Sequence, residues 1–422
     1  MKVISNFINR YNNNLRIRQS LSLLTSTLVT IPLGIISSII LTNYLGAGDY
    51  GNFMFIINLF GFAILVFDFG LFQGGNRALV LNKDPVKARQ YYGVLLLSLF
   101  ALFILMSLTL LIYAIFDTNL HNKGLYLVFL YILPFGWLFL LPRFFEGILH
   151  ADNKIRELAT SRLITAGGHL ALYIVAYYFF SSINHNGLNT VLILYLFTNL
   201  IVFVYLIYKL KPNLKFAIER MAEVWSYTKS FGFHVYLGSL IGVGMSQVSY
   251  ILISYFSTAN TGVGYFALAL AFASPLKLIP NTIATTYYKD FSVLEKIPLK
   301  LTITTLALSA TALIFLFLLI HPFVTYFYGI EFLPVIRLTY IAGLGMLFYG
   351  MADYFNRFLG ARGKGILLRN SAFIVGIVIL ISNFLLIPEW AEKGAAIAYL
   401  ISGGTYLTAM IYFYKRQIKT KS

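Results

Sequence analysis

Long apolar stretches cut by short polar connections recur along the whole chain, at roughly 19–45, 51–80, 90–116, 124–149, 159–181, 188–208, 230–256, 262–288, 300–321, 333–360, 366–387 and 394–414. A helix crossing the ~30 Å hydrocarbon layer of a membrane needs about 20 mostly apolar residues, and every stretch is that long. A closed β-barrel is the other way to span, but barrel strands are ~10-residue segments of alternating polarity. The pattern therefore predicts an all-α polytopic membrane protein with about twelve transmembrane helices.

Composition sharpens this picture. Of the 422 residues, 59% are apolar and 11% are charged, against about 25% charged in soluble domains. A water-facing surface cannot be built from this chain, which excludes a soluble enzyme. The absence of cysteine removes disulfides, thiolate metal sites and iron–sulfur clusters.

The net charge of +17 is informative through its distribution. Twenty-five Lys and Arg fall on the amino-terminal segment, the even-numbered connections and the tail, against Lys123 and Lys393 on the other side. By the excess of cations in cytoplasmic loops, both termini are expected in the cytoplasm. The basic excess is thereby accounted for at the membrane surface, and no nucleic-acid partner is expected. Residues 1–18 are too polar for a signal peptide; they form either a basic amphipathic segment lying on anionic headgroups or a simple topology signal. The longest connection, about 209–229, divides the chain nearly in half. The expected organisation is a six-helix lobe at 19–210, a cytoplasmic linker at 211–229, a second six-helix lobe at 230–414 and a cytoplasmic tail at 415–422. Gly51-Asn52-Phe53 is echoed 213 residues later by Gly264-Tyr265-Phe266. The offset lays the second apolar stretch onto the eighth in the same direction, as in transporters with parallel repeats.

Ionisable residues inside the apolar stretches each cost ~2.5–3.5 kcal/mol at mid-membrane, so they need partners or water. They are Arg77, Arg143, Lys277, Arg337 and Arg357, with Asp68, Glu146 and Asp353. Arg337 is near an end and close in sequence to Glu331, so snorkelling explains it; Arg77 is also within reach of a surface. Arg143 with Glu146, and Asp353 with Arg357, have the spacing of in-helix pairs. Lys277 is 15 residues into its stretch, ~22 Å deep at 1.5 Å per residue, and Pro275 and Pro280 flank it with bends that free backbone carbonyls. Asp68 has a similar depth. Either Lys277 and Asp68 form a structural pair, or the group lines a water-filled cavity with an excess of one positive charge that suits an anionic ligand.

Other chemistry is not supported. The six histidines are scattered, with no metal-ligand spacing, and His169 and His234 read as polar packing residues. The phosphate-binding Gly-x-x-x-x-Gly-Lys-Ser/Thr motif is missing, so no ATP motor is built into the chain, and no cofactor or metal is expected. Gly238, Gly242, Gly244 and Ser246 suit close helix packing, or a hinge. Tyr177-Tyr178-Phe179-Phe180 is placed like an interfacial aromatic belt.

The run Asn43-Tyr44-Leu45-Gly46-Ala47-Gly48-Asp49-Tyr50-Gly51-Asn52-Phe53, followed by Asp68-Phe69-Gly70-Leu71 and Arg77, resembles the opening of Wzx-type O-antigen and polysaccharide flippases. These belong to the multidrug/oligosaccharidyl-lipid/polysaccharide (MOP) exporter superfamily, which also contains the multidrug and toxin extrusion (MATE) transporters. Phe323-Val324-Thr325-Tyr326-Phe327-Tyr328-Gly329 and Lys393-Gly394-Ala395-Ala396-Ile397-Ala398 resemble later blocks. The resemblance implies two six-helix lobes in a MATE-like V shape. It also implies a flippase that moves an undecaprenyl-diphosphate-linked oligosaccharide across the bacterial inner (plasma) membrane by alternating access. Lys277 and Arg77 would receive the diphosphate, with Arg143 and Arg357 as weaker matches, and Asp68, Asp353 and Glu146 would be the cavity or coupling acids. Its partners would be that lipid-linked oligosaccharide, membrane lipids and other polysaccharide-assembly proteins, with the chain itself a monomer.

A MATE-type drug/cation antiporter would be expected to carry unpaired cavity acids, and here nearly every intramembrane acid has a basic neighbour. That antiporter is nonetheless the nearest alternative, with a flippase for another lipid-linked glycan, such as a lipid II or teichoic-type precursor, as the other. A membrane glycosyltransferase would need a sizeable catalytic outer loop, and an ion channel a pore loop; the short connections offer neither. Because the chain is free of cysteine, single cysteines report topology directly. Asn122→Cys and Glu389→Cys are expected to react with an impermeant maleimide from outside intact cells, and Asn213→Cys only after permeabilisation; the reverse pattern would invert the assignment.

Overall fold

The computed structural model describes residues 15–82, 84–180 and 187–419. The first fourteen residues of the basic amino-terminal segment and the last three of the tail, for which interfacial roles are expected, lie outside the described residues. Among the described residues there are helices and connections and no strands.

Besides the short helices Thr118–Asn122 and Tyr288–Val293, the helices in chain order are α1 (Leu15–Phe67), α2 (Leu71–Leu81), α3 (Pro85–Phe116), α4 (Tyr126–Ile132), α5 (Trp137–Ala151), α6 (Ile155–Val175), α7 (Gly187–Leu210) and α8 (Ala217–Tyr227). They continue as α9 (Phe233–Ser239), α10 (Met245–Phe256), α11 (Thr261–Ala273), α12 (Leu278–Thr286), α13 (Leu299–Phe327), α14 (Pro334–Ala361) and α15 (Gly365–Lys419). Among the described residues, nine helical segments are long and apolar enough to cross a membrane. The bent pair Tyr126–Phe135 and Trp137–Ala151, at 46°, makes ten. At 55 residues, α15 would be ~80 Å long if straight, more than twice the hydrocarbon thickness. It instead breaks at Ala391 (φ 46°), and the 53-residue α1 breaks at Gly46 (φ 69°). The expected count of about twelve treats each of these as two crossings.

Local sequence explains the helix ends. Asp84 caps α3 by accepting the N–H of Val86 at 2.9 Å, with Pro85 at the first helical position, where no N–H is needed. Within α3, Leu99, Leu102, Met106 and Leu110 are buried, while Ile104, Leu108, Ile112 and Phe116 form an exposed stripe one turn apart. Both faces are apolar, as lipid contact on one side and packing on the other require.

By Cα packing the chain forms two compact units: one takes residues up to Leu45 and Val66–Leu237, the other Gly46–Leu65 and Gly238–Ser422. In the second unit the two echoed sequences lie against each other. A Cβ on Gly51 would be 2.0 Å from the carbonyl oxygen of Asn260, and one on Gly264 would be 3.1 Å from the Gly51 backbone. Asn260 donates from its amide to Asn52 Oδ1 at 3.0 Å. Each glycine therefore admits the other strand of the turn, which gives the repeated motif a packing reason. In contrast, nothing lies within 4 Å of a Cβ built on Gly238 or Gly242. Close packing does not explain these two, whereas Gly244, at the end of the π-helical turn Leu240–Gly244, is buried with Leu240 Cδ1 3.3 Å and Phe62 3.9 Å from a Cβ placed on it.

In the first unit the chain breaks after α1, where Phe69 (φ 46°) and Gly70 (φ 79°) are left-handed. A Cβ on Gly70 would be 2.5 Å from the Gly232 carbonyl carbon, and one on Gly232 would be 2.3 Å from the Gly70 oxygen. One turn on, a Cβ on Gly74 would meet Thr228 Oγ1 at 2.2 Å. Backbone meets backbone here, and no side chain can yield. Gly70→Ala and Gly232→Ala are each expected to lower stability by ~1–3 kcal/mol, whereas Gly242→Ala should be close to neutral; melting temperatures of the purified variants in detergent will separate them.

Candidate functional site

Lys277 ends a 3₁₀ turn, Ser274–Lys277, that joins α11 to α12. Pro275 lacks an N–H and opens that turn, so the crossing helix is interrupted close to the depth read from sequence. On α14, a Cβ on Gly350 would be 2.8 Å from Pro280 and 3.3 Å from Lys277 Cα, so the helices meet at the bend. This contact brings Lys277 onto one face of α14. Its ammonium lies 3.6 Å from Asp353 Oδ2 and 5.4 Å from the centroid of the Tyr349 ring.

Asp353 is held from its other side. Its Oδ1 accepts from the Tyr406 hydroxyl at 3.0 Å, and that hydroxyl accepts from Asn356 Nδ2 at 2.8 Å. Tyr349 and Ser402 share a hydrogen bond of 2.9 Å. Arg357 turns away from Asp353, and its Nε donates to Asn281 Oδ1 at 3.2 Å. The in-helix Asp353–Arg357 pair suggested by spacing is thus replaced by a pair between helices, and the group carries one positive charge in excess. The side chains of Lys277 and Asp353 remain 33% and 28% exposed, so neither charge is sealed in the protein interior. One oxygen at 3.6 Å is a loose contact beside a bidentate or charge-assisted one.

The first unit has a second group. Asp68 lies at the break after α1 and is buried. Its Oδ1 accepts the N–H of Phe72 at 3.2 Å, in the first turn of α2, where the helix dipole also favours a carboxylate. The Tyr236 hydroxyl donates to the Val66 carbonyl at 2.9 Å, one of the groups released by the break. Arg143, half-buried on α5, interacts electrostatically with Asp68. Glu146 is exposed; it pairs with Arg162 of α6 and lies 3.8 Å from His150. Glu146 thus makes its ion pair with Arg162 and still interacts electrostatically with Arg143, the partner its spacing suggested. Arg77 is exposed on α2, its guanidinium 5.5 Å from the Phe231 ring centroid.

Lys277 and Asp68, a possible structural pair from depth alone, each meet an opposite charge of their own unit, Asp353 and Arg143. Sequence reading passed over Tyr349, Asn356, Asn281, Ser402 and Tyr406. Tyr349, Asp353 and Asn356 recur at helical spacing on one face of α14, a polar stripe in an otherwise apolar helix that could have been found. The Tyr406 and Asn281 contacts had no such signal. His169 is stacked between Tyr173 and Tyr195 at centroid distances of 5.6 and 4.8 Å, in keeping with a packing role. Among the described residues no cluster of His, Asp and Glu could hold a metal ion.

Comparison with known proteins agrees with this architecture. The chain is 24% identical over 360 residues to the capsular polysaccharide biosynthesis protein CapF of Staphylococcus aureus, covering 81% of this chain and 85% of that protein. Its fold is similar to that of the lipid II flippase MurJ in an inward closed conformation, with a TM-score of 0.73 at 17% identity over 94% of this chain and 89% of that one. It is also similar to an inward-facing multidrug resistance MATE transporter of the MOP superfamily, with a TM-score of 0.68 at 13% identity over 91% and 94%. The profile of the polysaccharide biosynthesis protein family matches residues 17–288. A multi-span helical membrane chain with charged groups at its helix breaks, this protein belongs to the polysaccharide biosynthesis protein family.

Proposed function

We propose that the protein is a flippase that moves an undecaprenyl-diphosphate-linked oligosaccharide, of the O-antigen or capsule repeat type, across the bacterial inner (plasma) membrane by alternating access. The observation that carries this reading is Lys277, a partly exposed cation at a helix break, in loose contact with Asp353 and beside the Tyr349 ring. A diphosphate brings more charge and more acceptor oxygens than one carboxylate, so it can take over the ammonium by charge-assisted hydrogen bonds. Asp353 keeps its bond from Tyr406 meanwhile, and its charge is available to recapture Lys277 and favour release. Arg357, in the same unit, supplies further positive potential; Arg77 and Arg143 are the proposal's further cations in the first unit. The sugars meet hydroxyl and amide groups, and the polyprenyl tail remains in lipid. Membership of a polysaccharide biosynthesis family and the name of the S. aureus relative support a glycan cargo; the flippase and transporter folds support movement rather than bond chemistry. The drug/cation antiporter reading is weakened by the cationic partners of Asp68, Glu146 and Asp353. The two six-helix lobes, cytoplasmic termini and a monomeric state belong to the same proposal.

In vesicles reconstituted with purified protein and a labelled polyprenyl-diphosphate oligosaccharide, Lys277→Ala is expected to slow translocation by about ten-fold or more, since a hydrogen bond to a charged group contributes ~1.5–3 kcal/mol. Lys277→Arg should retain most of the rate. Equal rates for Lys277→Ala and wild type at equal protein content would overturn the cation's role. Asp353→Asn separates binding from release: it should strengthen ligand binding without raising turnover, read by comparing ligand affinity with flipping rate. Deletion of the gene should remove surface polysaccharide and leave drug susceptibility unchanged.

A further inference from the structure

The end of the second unit that carries Gly46, Asn260 and Glu331 is poor in cations, yet two of them converge there on one cavity. The cavity has a volume of about 360 Å³, and Arg337, Lys393 and Glu392 line it together with the apolar Leu338 and Ile341. Sequence position alone would pair Arg337 with Glu331. The structure commits that carboxylate elsewhere: Glu331 Oε2 accepts the N–H of Ala47 at 3.2 Å. Glu392 is also engaged, since its carboxylate lies against the first turn of α11, where a Cβ on Gly262 would be 2.5 Å from Oε2. The positive end of that helix offsets its charge. Neither Arg337 nor Lys393 has an ion pair among the described residues, and both are exposed.

We infer that this cavity binds the phosphate of an amphiphile in the adjoining leaflet. The phosphate sits between Arg337 and Lys393, with the first carbons of the lipid on Leu338 and Ile341. Three features fit that chemistry. The guanidinium presents a planar fork suited to phosphate oxygens and the ammonium adds a point charge. The volume is within the range of small-molecule sites and admits a headgroup. Apolar lining comes from Leu333 and Pro334 before Arg337 in the chain and from Leu338 and Ile341 after it, so the cations are flanked by apolar surface that the first carbons of a lipid can cover. A membrane phospholipid and a polyprenyl diphosphate share these features. The site is separate from the Lys277 group and does not depend on the transport reading.

The test is binding of fluorescent phosphatidylglycerol to purified protein in phosphatidylcholine nanodiscs, with fluorescent phosphatidylcholine as the reference lipid. Arg337→Gln with Lys393→Gln is expected to weaken phosphatidylglycerol binding by about ten-fold, while Lys364→Gln, in the basic connection between α14 and α15, leaves it unchanged. Arg337→Lys with Lys393→Arg keeps the charges and should keep binding, which guards against a folding defect. Competition by a short-chain polyprenyl diphosphate at concentrations well below those of phosphatidylglycerol would assign the site to lipid-linked cargo; weaker competition would assign it to membrane phospholipid. Unchanged affinity in the double Gln variant overturns the inference, and so does competition by inorganic pyrophosphate that matches the lipids. Flipping rates are not read here, so failure of this site and failure of the transport reading are distinguishable.

Discussion

A helix that breaks inside hydrocarbon releases N–H and C=O groups that no solvent can satisfy, and this constraint organises both charged groups of the protein. After α1 the break at Phe69 and Gly70 is closed by Asp68, which caps Phe72, and by Tyr236, which takes the Val66 carbonyl. Between α11 and α12 the 3₁₀ turn Ser274–Lys277 makes the bend and presents an ammonium. The ionisable residues thus stand where the backbone is irregular. Transporter sites are built at such interruptions because broken helices can line a polar path.

The two groups differ in what they offer a ligand. Asp68 is buried, capping a helix and facing Arg143, which gives it the character of a structural anchor. Lys277 and Asp353 are partly exposed, and their mutual contact is long. A pair with this geometry is easily exchanged, because exposed pairs contribute little while the charges remain available to an incoming anion. Arg357, bound to the neutral Asn281, adds potential without consuming the carboxylate. Family membership indicates a membrane protein of polysaccharide biosynthesis, its fold is similar to those of a flippase and a MATE transporter, and in the proposed function the Lys277–Asp353 contact is the one a ligand exchanges.

Much of this was legible in the chain. Apolar runs of twenty residues required membrane-crossing helices, and the positions of Lys277 and Asp68 well inside their stretches followed by counting. The Gly51 and Gly264 echo was visible, but its cause was not: the two turns pack backbone to backbone. The Gly70–Gly232 approach was equally hidden, because glycine is common in such helices and its spacing does not reveal which backbone it admits. The same ambiguity made Gly238 and Gly242 look like packing positions, though their surroundings are open.

What the sequence by itself determined is that the chain must be helical, lie in a membrane and carry a few charges at depth, since hydrocarbon tolerates no other arrangement of these residues. Which carboxylate meets which cation was decided by tertiary structure alone. Spacing of three or four residues nominates neighbours on one helix, but Lys277 and Arg162 approach Asp353 and Glu146 from other helices and make the ion pairs. Such contacts depend on where bends and glycines let helices meet, and that geometry joins residues far apart in the chain.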